Sequence, residues 1–423
     1  MKIGIVIGRI GGIDGVALET EKWLDVLERM GHEVRVLAGA LEGPVRHVDV
    51  LPELAFDHPA AVRHQQQAFL GAPVAGEAAL LAELDEGAHS IADAIEAWVR
   101  TEQIELIVSE NASAIPLHLT MGMAIRRVLE RAPALRAITH DHDFAWERGD
   151  RYLSPFEGVR QILSTCFPVD LPTVRHAVIN SAARAALAER FGITDAVVVP
   201  NVMDFDAPLG QLDTINRGLR KDLGLGADDR LLFQVTRIVR RKGIDIAIDL
   251  VHRLADPGVK LVVTGTAVDE QHDAYLKELM DQVARLGLEG QVLFAGDRFD
   301  AARRTADSGE QVYSLWDAYA NAQACTYFSL YEGFGNAFVE AVVARVPIFV
   351  NRYEPVYWPD IGSKGFKTVM IEQGLLTDQA VNEVRQVLDD TDMRQEMTAH
   401  NFELGREHFS YQSLERLLRE LVE

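Results

Sequence analysis

Two glutamates, Glu332 and Glu340, stand eight residues apart around the run Glu332-Gly333-Phe334-Gly335-Asn336. The apolar stretch 324–329 predicts a strand ahead of them, and 336–344 reads as a helix. One carboxylate then lies before the helix and the other about a turn inside it. Glycines beside a helix start let the backbone come close to a ligand and leave N–H groups facing it. Those groups and the helix dipole favour an anion such as a phosphate. Carboxylates beside a phosphate repel it, so Glu332 and Glu340 suit neutral hydroxyls better, as on a sugar or a ribose. The plain alternative is a strand, a turn and a helix with acids on its surface.

A second chemical group runs from Thr139 to Tyr152. His140, Asp141, His142 and Asp143 fill four consecutive positions at a predicted strand end. Trp146, Glu147, Arg148 and Arg151 follow, a mixture suited to stacking on a sugar and pairing with an acceptor carboxylate or phosphate. The alternative is a surface loop with one buried histidine. An H-x-H-D run can also hold a metal, as in several hydrolases. Such a site needs further clustered ligands, and the rest of the 13 histidines are scattered singly. The third group is basic: Arg237, Arg240, Arg241 and Lys242 lie between a predicted strand and Gly243. Arg240 and Arg241 read as surface residues.

Strand ends must carry these groups. Residues 2–8 form a short apolar strand, glycines punctuate 8–15, 16–30 reads as a helix and 33–37 as the next strand. This βαβ opening predicts a doubly wound parallel sheet. The loop lacks the G-x-G-x-x-G spacing and the P-loop lysine. Gly11 and Gly12 fit a turn with positive φ, and Arg9 beside them could meet an anion or be solvated. Helices are expected over 85–101, 116–131 and 181–191, and strands over 104–109, 135–139, 176–180 and 196–199. Asn111 follows the strand 104–109, placed to bond a sugar or to cap a helix. Prolines interrupt 40–86, where His64 to Gln67 reads as an exposed helix turn. In the second half, strands are expected over 231–235, 259–264 and 291–295, a mobile polar stretch over 299–311, and helices over 312–322, 400–409 and 410–422.

Length and composition set the limits. At 423 residues, with 48% hydrophobic residues, two α/β domains are expected. A net charge of −22 argues against nucleic acid and against an anionic membrane surface as partners. No apolar run reaches membrane-spanning length. Cys166 and Cys325 read as reduced, buried thiols. The N-terminus enters a strand with no signal peptide, and the expected location is cytoplasmic.

The E-G-F-G turn with its downstream glutamate resembles glycosyltransferase family 4, the retaining, nucleotide-sugar-dependent enzymes of the GT-B fold. Thr236-Arg237-Ile238 through Lys242-Gly243-Ile244-Asp245 is similar to the family's G-R…K-G-x-D run, with Thr236 in the glycine's place. Pro200-Asn201-Val202 resembles its P-N-G segment, with Val202 for glycine. A family glycine is replaced by Arg345, two residues before Pro347. The resemblance covers most of the chain outside 40–86 and 299–311.

That resemblance implies an α/β GT-B fold: two Rossmann-like domains facing each other across a cleft, with a C-terminal helix crossing back to the first. The domains would be 1–205 on the acceptor side and 206–398 for the nucleotide sugar, with terminal helices over 399–423. Glu332 would bind donor-sugar hydroxyls and Glu340 the ribose. Gly333, Phe334, Gly335 and Asn336 would meet the diphosphate and sugar through their backbone, and Gly11 and Gly12 would face the donor phosphates. Arg237 and Lys242 would neutralise the diphosphate. His140 or His142 would touch the donor sugar, His142-Asp143-Phe144 being the better match. Arg9, Asn111, Trp146, Arg148 and Arg151 are the acceptor candidates. The expected activity is retaining hexosyl transfer from a GDP-, UDP- or ADP-sugar to a soluble, anionic small acceptor of glycerate or glucosylglycerate type, or to a saccharide. No tightly bound cofactor is expected, and a metal would be unnecessary for the chemistry or only stimulatory. A homo-oligomer is compatible with all of this. The alternatives are a nucleotide-sugar epimerase or a phosphorylase on the same fold, or a metal-dependent hydrolase using His140 and His142.

Overall fold

The structure is a computed structural model that describes residues 1–12, 14–267 and 270–423. The chain divides into two compact units, Met1–Asn201 with Leu414–Glu423, and Val202–Ser413. Among the described residues no helix is long and apolar enough to cross a membrane.

The first unit holds a sheet of seven parallel strands: β1 (Lys2–Ile7), β2 (Glu33–Ala38), β3 (Val48–Val50), β4 (Leu106–Glu110), β5 (Arg136–Asp141), β6 (Val174–Val178) and β7 (Val197–Val198). Their spatial order is β3-β2-β1-β4-β5-β6-β7. β1 pairs with a strand on each side, which is why its sequence is nearly continuous apolar rather than alternating. Helix Glu77–Glu102 buries Leu80, Leu84, Ala88, Ile91, Ile95 and Trp98, a stripe at helical spacing. Each fully buried leucine or isoleucine there contributes about 1.5–3 kcal/mol.

The region 40–86, interrupted by prolines in sequence, supplies β3, a 3-10 turn at Pro52–Leu54 and a helix at Pro59–Phe69. His64 lies in that helix but is buried, not exposed as its polar neighbours suggested. The last helix, Tyr411–Val422, adds its final turns to this unit. Arg136 donates to the carbonyl of Val422 at 2.9 Å.

The second unit repeats the plan with β8 (Arg230–Gln234), β9 (Val259–Val263), β10 (Val292–Phe294), β11 (Ala324–Tyr327), β12 (Ile348–Asn351) and β13 (Val369–Ile371). Their order is β10-β9-β8-β11-β12-β13, all parallel. In both sheets the order reverses beside the first strand: between β1 and β4 in one, and between β8 and β11 in the other. Open parallel sheets bind ligands outside the carboxyl ends of the strands at this reversal.

One further expectation is corrected here. The stretch 299–311 is not a mobile loop. It forms short strands, Phe299–Asp300 and Arg304–Thr305, that pair with Gln311–Ser314, and a helix begins only at Leu315. Asp317, 1% exposed, fixes this excursion by accepting from Arg303 Nε at 2.8 Å, Asn216 Nδ2 at 2.9 Å and the Ser314 amide at 2.8 Å. Arg345 keeps the left-handed turn that a glycine favours, with an arginine in its place. It adopts a φ of 55°, and its guanidinium lies 3.6 Å from the centroid of the Phe402 ring.

Helix Leu119–Arg131 is capped by an unusual residue. His118 Nδ1 accepts from the Met121 amide at 3.2 Å, and Nε2 donates to the Glu53 carbonyl at 2.8 Å. Burial pushes this imidazole down to about 4. The unfolded chain takes up the proton near its ordinary value of 6.5, and the folded chain does so only near 4. His118 therefore contributes its full stability above pH 6.5, and that contribution is lost as pH falls through this window, up to about 3 kcal/mol. His118→Asn keeps a capping acceptor. Melting curves between pH 7 and pH 4.5 should show a smaller loss of stability for this variant than for the wild type.

Candidate active site

At the reversal in the second unit, the loop after β8 meets the loop after β11. Lys242 Nζ donates to Glu332 Oε1, and Arg241 Nη1 donates to Glu332 Oε2 at 2.7 Å and to the Tyr331 carbonyl at 2.8 Å. Burial would raise the Glu332 carboxyl, but the charges of Lys242 and Arg241 outweigh it and hold it below its ordinary range. Arg241, read from sequence as a surface residue, thus joins the site. Arg240 does lie outside, pairing with Glu278 at 2.6 Å over the Tyr275 ring. Arg237 is exposed, and no hydrogen bond or ion pair engages its guanidinium among the described residues. A buried amide supports the loop from below. Gln234 Nε2 donates to the Lys242 carbonyl at 2.8 Å while its Oε1 accepts from Thr326 at 2.7 Å.

Glu332 is followed by Gly333, which is exposed, and by Phe334, whose ring packs edge-on against Phe409. Gly335 precedes helix Asn336–Val343 with a φ of 127°, and a Cβ there would stand 2.1 Å from the Tyr353 hydroxyl. That hydroxyl donates to the Phe334 carbonyl at 2.8 Å. Glu340, one turn inside the helix, accepts from Tyr319 at 2.8 Å.

In the first unit the reversal gathers the loops after β1, β4 and β5. Glu110 and His140 are partners in register on β4 and β5. Glu110, fully buried, accepts from His140 Nδ1 on Oε2 at 3.1 Å and from His142 Nε2 on Oε1 at 2.8 Å. Burial would raise this carboxyl too, but contacts from the two imidazoles outweigh it and hold it at about 2. His140 stacks on Trp23 at 4.0 Å, and burial lowers its pKa. Ligand atoms of Glu110, His140 and His142 all lie within 4.8 Å of one another, so among the described residues these three could hold a cation. Glu110 was not singled out in sequence, although it shares a strand end with Asn111.

The acceptor candidates spread out. Asn111, at a φ of 50°, fixes the neighbouring loop: its Oδ1 accepts from the His142 amide at 3.1 Å and its Nδ2 donates to Asp143 at 3.1 Å. Arg148 pairs with the same Asp143. Trp146 stacks on Phe144 at 4.4 Å, under Arg190 and beside Phe191, in an apolar cluster of the unit. Arg151 is exposed and lies over the Tyr152 ring. Arg9 pairs with Asp14 at 3.3 Å and Glu42 at 3.5 Å. Gly11 has a φ of 85°, and a Cβ there would meet the Glu42 carbonyl at 1.8 Å because Ile10–Gly11 pairs with Leu41–Glu42. Gly12 beside it is exposed.

Two open parallel sheets of this order, with charged loops gathered at each reversal, are the plan of a GT-B fold. Residues 216–403 match the family model of the glycosyl transferases group 1. The chain is 34% identical to the mannosylglucosylglycerate synthase of Thermotoga maritima, with 99% of each chain covered. It is 30% identical to that of Petrotoga mobilis, over 88% of this chain and 86% of the relative. The protein belongs to the group 1 family of glycosyl transferases. Among solved structures, Anabaena HepE in complex with UDP and glucose has a similar fold, with a TM-score of 0.61 at 16% identity over 99% of this chain and 98% of that one.

The Gly335 turn gives a direct test of the site's geometry. Gly335→Ala forces the backbone out of its present φ and drives a methyl into Tyr353, which should cost about 2–4 kcal/mol in urea unfolding. Gly335→Ala combined with Tyr353→Phe should lose less than the sum of the two single changes, because the phenylalanine removes the atom struck.

Proposed function

We propose that this chain is a retaining family 4 enzyme that moves a hexosyl group from a nucleoside diphosphate sugar to a glycerate-type acceptor, with glucosylglycerate the leading candidate. The observation that carries this reading is the full-length similarity to two mannosylglucosylglycerate synthases. It extends through the first unit, beyond the family-model match that begins at residue 216. A product with that name joins a mannosyl group to glucosylglycerate, so mannose is the first sugar to try.

The second unit takes the donor in this reading. Arg237, whose side chain has no hydrogen bond or ion pair among the described residues, and Lys242 offset the charge that builds on the departing diphosphate. The backbone of Gly333, Phe334, Gly335 and Asn336 faces the diphosphate and sugar. Glu332 turns from its cations to sugar hydroxyls, and Glu340 binds the ribose. The first unit takes the acceptor. In this reading Gly11 and Gly12 lend their backbone to the phosphate-facing loop, and Arg9, Arg148 and Arg151 supply the cations for an acceptor carboxylate, Arg9 exchanging Asp14 and Glu42 for it and Arg148 exchanging Asp143. Asn111 and Trp146 act at one remove, by fixing the loop and its base. His142, with His140 behind it, binds a sugar hydroxyl.

The bond from C1 to the diphosphate oxygen breaks and a bond from C1 to the acceptor oxygen forms on the same face. The acceptor proton passes to the leaving phosphate oxygen. No protein side chain becomes covalently attached, and the cations do the work that a metal does elsewhere.

GDP-mannose, UDP-glucose and ADP-glucose crossed with glycerate and glucosylglycerate should give turnover with one pairing, read by mass and by the anomeric configuration in NMR. An inverted product would refute retention. Donor consumed without acceptor would make the protein an epimerase, and turnover that needs orthophosphate would make it a phosphorylase. Glu332→Gln should lower kcat/KM by at least about 100-fold with the fold intact. Wild-type activity in that variant would refute the donor site drawn here.

A further inference from the structure

We propose that Glu110 is a positioning residue that holds the Nε2–H of His142 and so presents the bare Nδ1 of His142 to a substrate hydroxyl. This rests on the transferase reading above and assigns one atom within it. An ionised carboxylate only accepts hydrogen bonds. The contact of 2.8 Å between Glu110 Oε1 and His142 Nε2 therefore puts the proton on Nε2. A neutral imidazole protonated there has its lone pair on Nδ1. No hydrogen bond engages that Nδ1 among the described residues.

The rest of the cluster holds the ring still. Asn111 Oδ1 accepts from the His142 backbone amide at 3.1 Å, and the His140 ring lies 4.4 Å away, itself stacked on Trp23. Glu110 binds His140 through Nδ1–H by the same logic, which leaves Nε2 of His140 as the bare atom. That atom is buried and has no hydrogen-bond partner among the described residues. The His142 side chain keeps 8% of its surface exposed against 1% for His140. The two histidines are thus not equivalent. One carboxylate fixes opposite tautomers on them, and only His142 offers its lone pair to solvent.

Two substitutions at His142 separate its nitrogens. His142→Asn places an amide oxygen near the position of Nδ1, whereas His142→Gln places one near Nε2. Asn should retain about tenfold more kcat/KM than Gln. Glu110→Gln, which cannot accept both N–H groups as the carboxylate does, should lower kcat by about 100-fold while the thermal shift given by nucleoside diphosphate stays at its wild-type value. In protein labelled with 15N-histidine, the His142 signals, assigned by their loss in His142→Asn, should show Nε2 protonated and Nδ1 bare, and should change in Glu110→Gln.

A wild-type spectrum with the proton on Nδ1 would overturn the proposal, as would Gln outperforming Asn or full activity in Glu110→Gln. So would a stoichiometric divalent cation, measured by elemental analysis, that disappears in Glu110→Gln. The tautomer spectrum needs no turnover. A protein that shows it and transfers no sugar would refute the transferase assignment and leave the hydrogen-bond assignment standing.

Discussion

A parallel strand covered on both faces has one inexpensive place for polar chemistry, its carboxyl end. Everywhere else a charge would be buried without water, at a cost of several kcal/mol unless paired. This constraint organises both units. Gln234, Lys242 and Glu332 gather beyond β8 and β11, and Glu110, His140 and His142 gather at β4 and β5. Each group is paired where it leaves solvent. Glu332 is closed by two cations and Glu110 by two imidazoles. The apolar strands behind them, β1, β8 and β11 among them, provide the rigid floor that makes such pairing worth its desolvation.

The two sites solve the same electrostatic problem with different chemistry. In the second unit a carboxylate is stabilised by full positive charges, so it can be exchanged: an incoming anion competes for the same cations. In the first unit the carboxylate is closed by two imidazole N–H donors, one ring held by stacking on Trp23 and the other by a backbone clamp from Asn111. The first arrangement suits a group that must change partners during a reaction cycle, and the second suits one that must not.

Much of the fold was legible because apolar runs and glycine-bounded turns mark strand and helix directly. The βαβ opening, the strand before Glu332 and the amphipathic helix ending near Glu102 all follow from periodicity. The excursion at 299–314 was not legible, because short strands rich in charge carry no periodic signal. Its order comes from Asp317, a residue distant enough in sequence to leave no local trace. His64 misled for a related reason: three glutamines beside it suggest exposure, yet the helix turns its ring inward.

At the site, motifs exposed Lys242 and Glu332. Arg241 was hidden by adjacency, since neighbours in sequence usually face apart and here the 3-10 turn at Arg240–Lys242 brings both to one carboxylate. Glu110 could have been found from the rule that puts ligands at strand ends, because it sits in register with His140. Trp146, in the same chemical-looking run, stacks on Phe144, a contact that no local pattern announces.

The lacing beneath the second site has a further consequence. Gln234 ties the Lys242 carbonyl to Thr326, the Leu330 amide donates to the Arg241 carbonyl at 2.8 Å, and Arg241 returns to the Tyr331 carbonyl. The two loops are therefore one plate rather than two flaps. The cations and Glu332 touch one another on this plate, so whatever takes the cations and whatever takes the carboxylate must bind side by side, at a spacing the lacing sets and not at one that either loop can adjust alone.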